Sequence, residues 1–406
     1  MIKLIQISNF KSIGDLSLRL EKFNCLVGMN GAGKSTVLQA FDFLSHLMIG
    51  DVEAWLAERN WDIGDLNNKL RKESNITLQV AYDLGEAGIL AWKGVFNRVD
   101  LRCTKETISE IKVGGIAERV IKKHLVVERS RFSLDGKPRQ EIAFNYQGSI
   151  LSVLKESELP PTLLEFRNAL QRMGSLELLS PQLLRKRART SDHDIGPGGE
   201  KLSAFLDNIK GVQKDDLIVL LKRFYPAIVD FKVTTMQSGW KKLVVMEQFE
   251  GKLLETEATH LNDGLLRVLA VLAQSSTDRS LILLDEIENG INQEIVEALV
   301  DALVASPQQI IVTTHSPLVL NYLEDEVARQ SVQIIYKTPM GETRVRKLFK
   351  IPRMAAKLEA MGPGDAFVDT DLKLLTAECI ADDARAEAAT PAEENAEADA
   401  MREEKE

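Results

Sequence analysis

The sequence predicts an α/β fold built on a parallel sheet, and three stretches carry that prediction. The first is a strand, a glycine-rich loop and a helix over residues 23–49. The second is the apolar run Leu281–Leu284, which ends in two carboxylates. The third is the helical pattern Ile291–Val304, followed by the strand pattern Gln309–Thr314. A strand, a helix and a strand in succession favour parallel pairing, because the helix returns the chain to the starting edge of the sheet.

The composition indicates a globular protein with neither a membrane-spanning segment nor a secretory signal. The 406 residues suffice for two or more domains, or for one large discontinuous domain. Apolar residues make up 44% and charged residues 27%, which is typical of a globular protein. No apolar run is long enough to span a bilayer, and Met1–Leu4 lack a secretory signal, so we expect a cytoplasmic protein. Cys25, Cys103 and Cys379 lack metal or disulfide spacing and are expected to be buried or incidental thiols.

The net charge of −9 is concentrated near the C-terminus. Residues 378–406 contain eleven acidic and three basic residues, so the rest of the chain is almost neutral. The acidic total therefore does not argue against nucleic-acid contact. The Ala/Glu-rich stretch from about Ala381 is predicted to be a solvated extension, partly helical or disordered.

A phosphate-binding motif follows the first buried strand. The loop Gly28–Ser35 fits G-x-x-x-x-G-K-[ST] and lies between the strand pattern Phe23–Val27 and a helix that ends near Gly50. Its glycines let successive N–H groups turn inward, and the helix directs its positive end at a phosphate. Lys34 is predicted to reach the β- and γ-phosphates, and the Ser35 hydroxyl to bind Mg²⁺. A chance glycine-rich turn is the alternative, which the flanking strand and helix disfavour.

Strand patterns dominate residues 2–146. Alternating apolar residues predict two strands within residues 2–20, and further strands at Ile76–Leu84, Leu90–Val99, Val126–Leu134 and Glu141–Tyr146. The last two are predicted to form a hairpin around Asp135–Pro138.

The hydrophobic period becomes helical between residues 150 and 224, where Leu163, Phe166 and Leu170 share one face. This segment is predicted to be a compact helical insertion. Strand patterns follow at Ile228–Met236 and Lys242–Gln248, and a helical pattern at Asn262–Gln274. A final hairpin is predicted at Val332–Tyr336 and Thr343–Leu348.

Two carboxylates follow the apolar strand Leu281–Leu284. The strand brings Asp285 to its carboxyl edge, beside the phosphate loop, where this residue can hold Mg²⁺ through water. Glu286 is then placed to polarise the attacking water as a general base. An apolar strand followed by an acidic residue is common, so the prediction depends on its combination with the phosphate loop.

Two further polar stretches complete the candidate site. His315 leaves the strand Gln309–Thr314 and is predicted to reach a γ-phosphate; a core or surface histidine is the alternative. The stretch Thr259–Arg267 is typical of a helix start with Asn262 or Asp263 as N-cap. Such a start presents N–H groups and a positive helix end to a phosphate.

In this order, the motifs resemble the ATP-binding-cassette (ABC) heads of the SMC/RecF-like ATPases. More narrowly, they resemble the RecF-like ATPases of bacterial defence operons and the ATPase half of OLD (overcoming lysogenization defect) nucleases. The residues that carry this likeness are 9–12 (Asn-Phe-Lys-Ser), 261–267, 285–290 and 314–317. The resemblance implies a phosphate-loop NTPase head with a mixed core sheet. Residues 1–149 would form the N-terminal segment of the ATPase, 150–225 a helical insertion, 226–350 the C-terminal segment of the ATPase and 351–406 an extension.

The resemblance also implies a site for ATP and Mg²⁺. Nucleotide contacts would come from Lys11, Asn30, Gly31, Gly33, Lys34, Ser35, Thr36, Asn262 and Gly264. Ser35 and Asp285 would bind the metal, Glu286 would be the base and His315 the γ-phosphate sensor. The family usually has serine where this chain has Asn262; an amide can also donate a hydrogen bond, but the hydrolysis rate is left open. A glutamine ligand for Mg²⁺ is not assigned, with Gln79 and Gln147 as the candidates.

In this family the helix after Asn262 serves the nucleotide of the other subunit. The resemblance therefore implies a head-to-tail homodimer, or a higher oligomer, with ATP between the subunits. No built-in nuclease is expected, since Asp369–Asp371 has no apolar strand before it, and an effector is expected on a separate chain. The basic run Arg185–Arg189 predicts either nucleic-acid binding or a solvated basic face.

Three functions fit these residues. The first is an ATPase that serves as sensor or scaffold of a two-component anti-phage defence or toxin system. The second is a RecF-like DNA-repair ATPase that clamps DNA. The third is the ATPase subunit of a membrane transporter, which the stretches 9–12 and 314–317 disfavour.

Overall fold

The computed structural model describes residues 1–114, 117–176, 179–191, 194–196, 198–275 and 277–385. Its strands are β1 Ile2–Phe10, β2 Ile13–Arg19, β3 Phe23–Val27, β4 Asn75–Asp83, β5 Ile89–Asn97, β6 Arg102–Gly114, β7 Ala117–Glu128, β8 Arg131–Leu134, β9 Gln140–Glu141, β10 Met173–Leu176, β11 Ile228–Thr235, β12 Lys241–Phe249, β13 Lys252–Glu257, β14 Leu281–Leu284, β15 Gln309–Thr313, β16 Val332–Lys337 and β17 Thr343–Lys347.

The helices are named in the same way. They are α1 Lys34–Ile49, α2 Val52–Glu58, α3 Pro161–Gln171, α4 Pro181–Leu184, α5 Leu202–Asn208, α6 Val212–Phe224, α7 Asp263–Ser275, α8 Gln293–Val304, α9 Pro317–Asn321, α10 Asp325–Ser331, α11 Pro352–Leu358 and α12 Pro363–Val368. Residues 372–385 are also helical. Among the residues that the structure covers, no helix has the length and apolar character needed to cross a bilayer.

A six-stranded sheet forms the centre, in the order β10-β14-β15-β3-β16-β17. Its first five strands are parallel and β17 is antiparallel, so the core sheet is mixed. An antiparallel sheet of eight strands, β2-β1-β4-β5-β6-β7-β8-β9, and a three-stranded sheet, β11-β12-β13, complete the architecture. The predicted α/β fold with a parallel β14–α8–β15 unit is confirmed.

Both faces of the central sheet are buried, which explains its continuous apolar strands. Leu281 and Leu283 of β14 face a core shared with α1 and the eight-stranded sheet. Ile282 and Leu284 face the opposite core, which contains α7 and α8. Consecutive side chains of a strand point to opposite faces, so the four residues of β14 are all apolar and its carboxylates follow the strand. Asp285 and Glu286 lie at this strand end.

The hairpin predicted around residues 126–146 is partly wrong. The stretch Val126–Leu134 is two strands, β7 and β8, because the chain reverses at Arg129, whose φ of 57° lies in the left-handed region. No glycine or proline marks this turn, so local turn chemistry could not predict it. The strand expected at Glu141–Tyr146 is only Gln140–Glu141, although β8 and β9 do pair across the predicted turn at Asp135–Pro138.

The segment 150–225 contains helices α3 to α6, but it also contributes a strand to the central sheet. β10 pairs in parallel with β14, with Leu176 opposite Leu284. Its four residues Met-Gly-Ser-Leu carry a weak strand pattern and gain their hydrogen bonds from the edge of β14. The division of the chain into four segments stays a prediction.

The C-terminal helix of residues 372–385 is held against β16 and β17. The Tyr336 hydroxyl donates to Asp383 Oδ2 at 2.6 Å, and the Arg346 guanidinium donates to both Asp382 and Asp383. The three cysteines are free and buried, as expected from their spacing. The Ala/Glu-rich extension predicted from Ala381 lies outside the described residues from position 386 onward.

A buried carboxyl in the N-terminal sheet gives a testable pH dependence. Glu106 is 1% exposed and accepts hydrogen bonds from Trp92, Ser149 and Ile150. Burial raises the pKa of Glu106 from 4.5 to about 7. Between these values the unfolded chain releases a proton that the folded chain keeps, so rising pH favours unfolding. Above about pH 7 the Glu106 carboxyl is ionised in both the folded and the unfolded chain, so its destabilising effect no longer changes with pH.

We therefore expect Glu106 to lower the free energy of unfolding by about 2 to 3 kcal/mol between pH 5 and pH 8. Urea unfolding at the two pH values measures this change. Glu106→Gln has no carboxyl to titrate at this position. Its free energy of unfolding should therefore change less between the two pH values, by that amount, whatever the absolute stability of the variant. Equal pH dependence in both proteins would contradict the assignment.

Candidate functional site

The phosphate loop needs glycine at two positions where the backbone approaches other strands. Gly28 has φ +149°, and a Cβ there would lie 2.2 Å from the Ile335 carbonyl oxygen. Gly33 has φ +108° at the start of α1, and a Cβ there would lie 2.2 Å from Thr343 Oγ1. Any side chain would both strain the backbone and displace β16 or β17. The loop therefore keeps a shape that only glycine allows.

Hydroxyl groups attach the loop to distant strands. Thr343 Oγ1 donates to the Ala32 carbonyl at 3.0 Å and lies 2.8 Å from Ser12 Oγ. Ser12 Oγ is also 3.3 Å from Thr36 Oγ1. Thr36 thus lies at the junction of the loop and the β1–β2 turn. The role of Thr343 could not be inferred from the sequence, because β17 is about three hundred residues away along the chain.

Lys34 lies inside the curve of the loop. Its ammonium group donates to the carbonyls of Gly28 at 3.0 Å and Met29 at 3.3 Å, and it lies 3.4 Å from His315 Nδ1. Burial lowers the pKa of Lys34, while the carboxylates of Asp285 and Glu286 oppose that shift. The cation is therefore kept close to the loop that is predicted to hold phosphates.

The predicted metal residues are in direct contact. Ser35 Oγ donates to Asp285 Oδ2 at 2.8 Å, and Thr313 donates to Asp285 Oδ1. A hydroxyl and a carboxylate at this separation are hard oxygen donors of the kind that Mg²⁺ prefers when phosphates supply further ligands. The residues present therefore fit Mg²⁺.

Glu286 and His315 face each other at the ends of β14 and β15. His315 Nε2 lies 3.3 Å from Glu286 Oε1. Glu286 has φ 48°, a left-handed conformation that costs a non-glycine residue free energy, and its N–H donates to Thr313 Oγ1 at 2.9 Å. Thr313 thus orients Asp285 and Glu286 together, a role that its position inside an apolar strand did not suggest.

Glu288 fixes the loop that carries the histidine. Its Oε1 accepts the N–H groups of His315 at 2.8 Å and Ser316 at 3.1 Å. Its Oε2 is buried and has no hydrogen-bond partner among the described residues. The sequence placed Glu288 in the family motif without giving it this function.

The remaining loop residues line the open side of this cluster. Asn30 and Gly31 are exposed. Asn30 lines a cavity together with Glu286, His315 and two residues from the C-terminal region, Phe367 and Leu372. The predicted nucleotide and water contacts of Asn30 would be made from this side.

Lys11 is close to α1 but outside the cluster. Its ammonium group donates to Gln39 Oε1 at 2.9 Å and lies 3.0 Å from the centre of the Trp61 ring. Gln39 is about one helical turn beyond Ser35, so Lys11 lies beside the first turns of α1, and its contact with the nucleotide stays a prediction.

Asn262 and Gly264 lie at the start of α7, apart from the phosphate loop. Asn262 Oδ1 accepts the Leu265 N–H at 2.7 Å, which makes Asn262, and not Asp263, the N-cap of this helix. A Cβ on Gly264 would lie 3.0 Å from the Gly290 carbonyl oxygen. Within the described residues, no hydrogen bond joins either residue to the loop Gly28–Ser35, and their service to another subunit stays a prediction.

The two glutamine candidates for Mg²⁺ have partners elsewhere in the structure. Gln147 exchanges hydrogen bonds with Glu53, at 3.0 Å each. Gln79 lies in the middle of β4, opposite Gln6 and Lys93 in the eight-stranded sheet. The outer strand that does run beside β14 is β10, which the sequence placed in the helical insertion.

The basic run and the acidic pair have structural partners. Arg185 pairs with Asp263, Arg187 with Glu257 at 2.6 Å, and the Arg189 guanidinium lies 4.8 Å from the Trp240 ring. Asp371 Oδ1 accepts the Lys373 N–H at 2.8 Å and caps the following helix. Asp369 pairs with Lys357 at 3.1 Å. Asp369 and Asp371 are therefore engaged in structural contacts.

Comparison with known proteins agrees with this geometry. Residues 116–321, just over half of the chain, match the family described as "AAA domain, putative AbiEii toxin, Type IV TA system". The chain belongs to this AAA family. Residues 1–166 also match the family described as an AAA ATPase domain. The predicted SMC/RecF-like ATPase class is thereby confirmed.

One curated relative matches over a much shorter stretch of the chain. The chain is 41% identical over 63 residues to the OLD nuclease of Thermus scotoductus strain ATCC 700910 / SA-01. The match covers 16% of this AAA protein and 11% of the nuclease. The chain thus matches only a small part of that enzyme.

Solved structures show the same fold. One is an SMC head bound to the C-terminal winged-helix domain of ScpA, 14% identical, with a TM-score of 0.51 over 85% of this chain and 96% of that chain. Another is the Pyrococcus furiosus SMC head with an extended coiled coil, bound to the C-terminal domain of ScpA. It is 12% identical, with a TM-score of 0.50 over 88% of this chain and 99% of that chain.

Proposed function

We propose that the protein binds and hydrolyses ATP at the cluster formed by the phosphate loop, β14 and β15. The observation that carries the proposal is the convergence of Lys34, Ser35, Asp285, Glu286 and His315 through contacts of 2.8 to 3.4 Å. These residues lie up to 281 positions apart in the sequence. Such a set provides a cation, metal ligands, a base and a γ-phosphate contact at one place.

Each residue has a chemical task in this proposal. The Lys34 ammonium exchanges its carbonyl partners for phosphate oxygens. Ser35 and Asp285 hold Mg²⁺, which neutralises charge on the β- and γ-phosphates when bound. Glu286 accepts a proton from the attacking water, and His315 donates a hydrogen bond to the γ-phosphate. The contact between Glu286 and His315 keeps both groups on the γ-phosphate side.

We propose further that ATP joins two copies head to tail, so that Asn262 and Gly264 of one copy meet the phosphate loop of the other. The placement of these residues at a helix start, away from their own loop, supports this arrangement. Hydrolysis would then reopen the interface. Light scattering with ATP, with ADP and without nucleotide tests the idea, because only ATP should double the mass.

The biological role that we propose is sensor or scaffold of a cytoplasmic bacterial defence or toxin system that controls a separate effector. The family description, which names a toxin–antitoxin system, and the OLD nuclease relative support it. The alternative of a DNA clamp has less support, because Arg185 and Arg187 of the basic run are in ion pairs. Copurification with the products of neighbouring genes tests the role, and the absence of a stable partner would count against it.

A further inference from the structure

One arginine of the basic run, Arg185, contacts the chain on both sides of Asn262. Arg185 follows α4, and its Nη2 donates to the Leu261 carbonyl at 2.7 Å and to the Asp263 carboxylate. These two residues flank Asn262 on either side. Arg185 therefore holds the chain just before and just after the N-cap of α7, over a sequence separation of 76 to 78 residues.

A second contact joins the same segment to the same helix. Arg267 Nη2, one turn into α7, donates to the Leu179 carbonyl at 3.0 Å. Burial lowers the pKa of the Arg267 guanidinium, and Asp263 and Glu286 oppose that shift. The segment 179–185 and the first turn of α7 thus form one unit, attached at both ends.

The position of Arg185 is unfavourable on simple electrostatic grounds. A cation near a helix N-terminus meets the positive end of the helix dipole, where anions are favoured. The Asp263 carboxylate and the Leu261 carbonyl compensate for this repulsion.

We propose that Arg185 is a positioning residue for the ATP-dependent dimer: it fixes Asn262 in the orientation that meets the nucleotide of the other copy. The inference rests on the proposed function. Asn262 uses Oδ1 to cap its own helix, so its Nδ2 amino group is the donor left for a phosphate of the other subunit. Arg185 acts through Asn262 and does not contribute to nucleotide binding by its own subunit.

The test uses the full chain with Glu286→Gln, which is expected to accumulate the ATP dimer. Adding Arg185→Ala should raise the protein concentration at half-dimerisation at least about tenfold, measured by sedimentation in ATP and Mg²⁺. The affinity of the single subunit for a fluorescent ATP analogue should stay unchanged. Arg185→Lys should give an intermediate effect, because a single ammonium group replaces the planar fork. Arg189→Ala, from the same basic run, is the matched control and should dimerise normally.

A mixing experiment separates positioning from a general structural role. Arg185→Ala and Lys34→Ala should each hydrolyse ATP poorly. Their mixture contains heterodimers in which one site has an intact phosphate loop and an intact α7 start, so activity should partly return. A structural defect within the Arg185→Ala subunit would not be rescued. If Arg185→Ala fails to fold, Asp263→Asn weakens the same contact from the other side and should weaken dimerisation in the same direction.

Three outcomes overturn the inference, and they are distinguishable. Arg185 would lose this role if the Arg185→Ala, Glu286→Gln protein dimerised normally. It would also lose this role if the nucleotide affinity of the single subunit fell as much as dimerisation does. Either result would leave the dimer proposal standing. If Glu286→Gln alone stays monomeric with ATP, the proposed dimer is wrong, and the inference fails with it.

Discussion

Glu286→Gln is expected to lower ATP turnover by about 10² to 10⁴-fold while ATP binding persists, because a glutamine amide cannot accept the proton of the attacking water. Glu286 is well placed for this task. Its carboxylate lies 3.3 Å from His315, and its backbone is held in a left-handed conformation by Thr313. Since hydrolysis is proposed to reopen the dimer, the variant should also accumulate as an ATP-bound dimer.

Single-turnover hydrolysis and sedimentation with ATP measure the two parts of this prediction. Glu294→Gln, an exposed residue in the first turn of α8, is the matched control and should turn over ATP like the unmodified protein. Unchanged turnover in Glu286→Gln would show that another group accepts the proton.

Lys34→Ala is expected to weaken ATP binding by about 100-fold or more. Charge-assisted hydrogen bonds to phosphate contribute about 3 kcal/mol, and every 1.4 kcal/mol is about a factor of ten in affinity. The ammonium group has carbonyl partners at 3.0 and 3.3 Å within the loop, so it is already in place before the nucleotide arrives. Loss of the cation should therefore affect affinity far more than it affects folding.

Equilibrium binding of a fluorescent ATP analogue measures the loss, and thermal unfolding without nucleotide checks the fold. Lys22→Ala removes an exposed lysine next to β3 and should bind like the unmodified protein. ATP should raise the melting temperature of the Lys22→Ala variant but not that of Lys34→Ala, because a ligand stabilises only the protein that binds it. Tight binding by Lys34→Ala would place the phosphates elsewhere.

The features of the site that could be predicted are formed by residues that lie next to each other in the sequence. The loop Gly28–Ser35 combines glycines, a lysine and a hydroxyl in one turn between a strand and a helix. The pair Asp285 and Glu286 ends an apolar strand, and His315 ends the next one. Parallel strands bring these ends to one edge, so the sequence predicted their meeting.

Other features depended on long-range placement. Thr343 and Ser12 are 331 positions apart, yet they lock the phosphate loop together. β10 is a strand only because β14 offers it an edge, and the turn at Arg129 contains no glycine or proline. Gln79 and Gln147 had only their residue type to suggest a metal contact; Gln79 lies within β4, and Gln147 is hydrogen-bonded to Glu53.

The sequence by itself determined the α/β fold, the phosphate loop, and the two carboxylates and the histidine that share one edge of the sheet. Only the tertiary structure decided which residues hold these groups in place, namely Thr313, Glu288 and Thr343. The physical reason is the range of the interactions. Periodicity and turn chemistry act over a few residues and are visible in the chain, whereas a hydroxyl or guanidinium finds its partner only after distant elements have packed together.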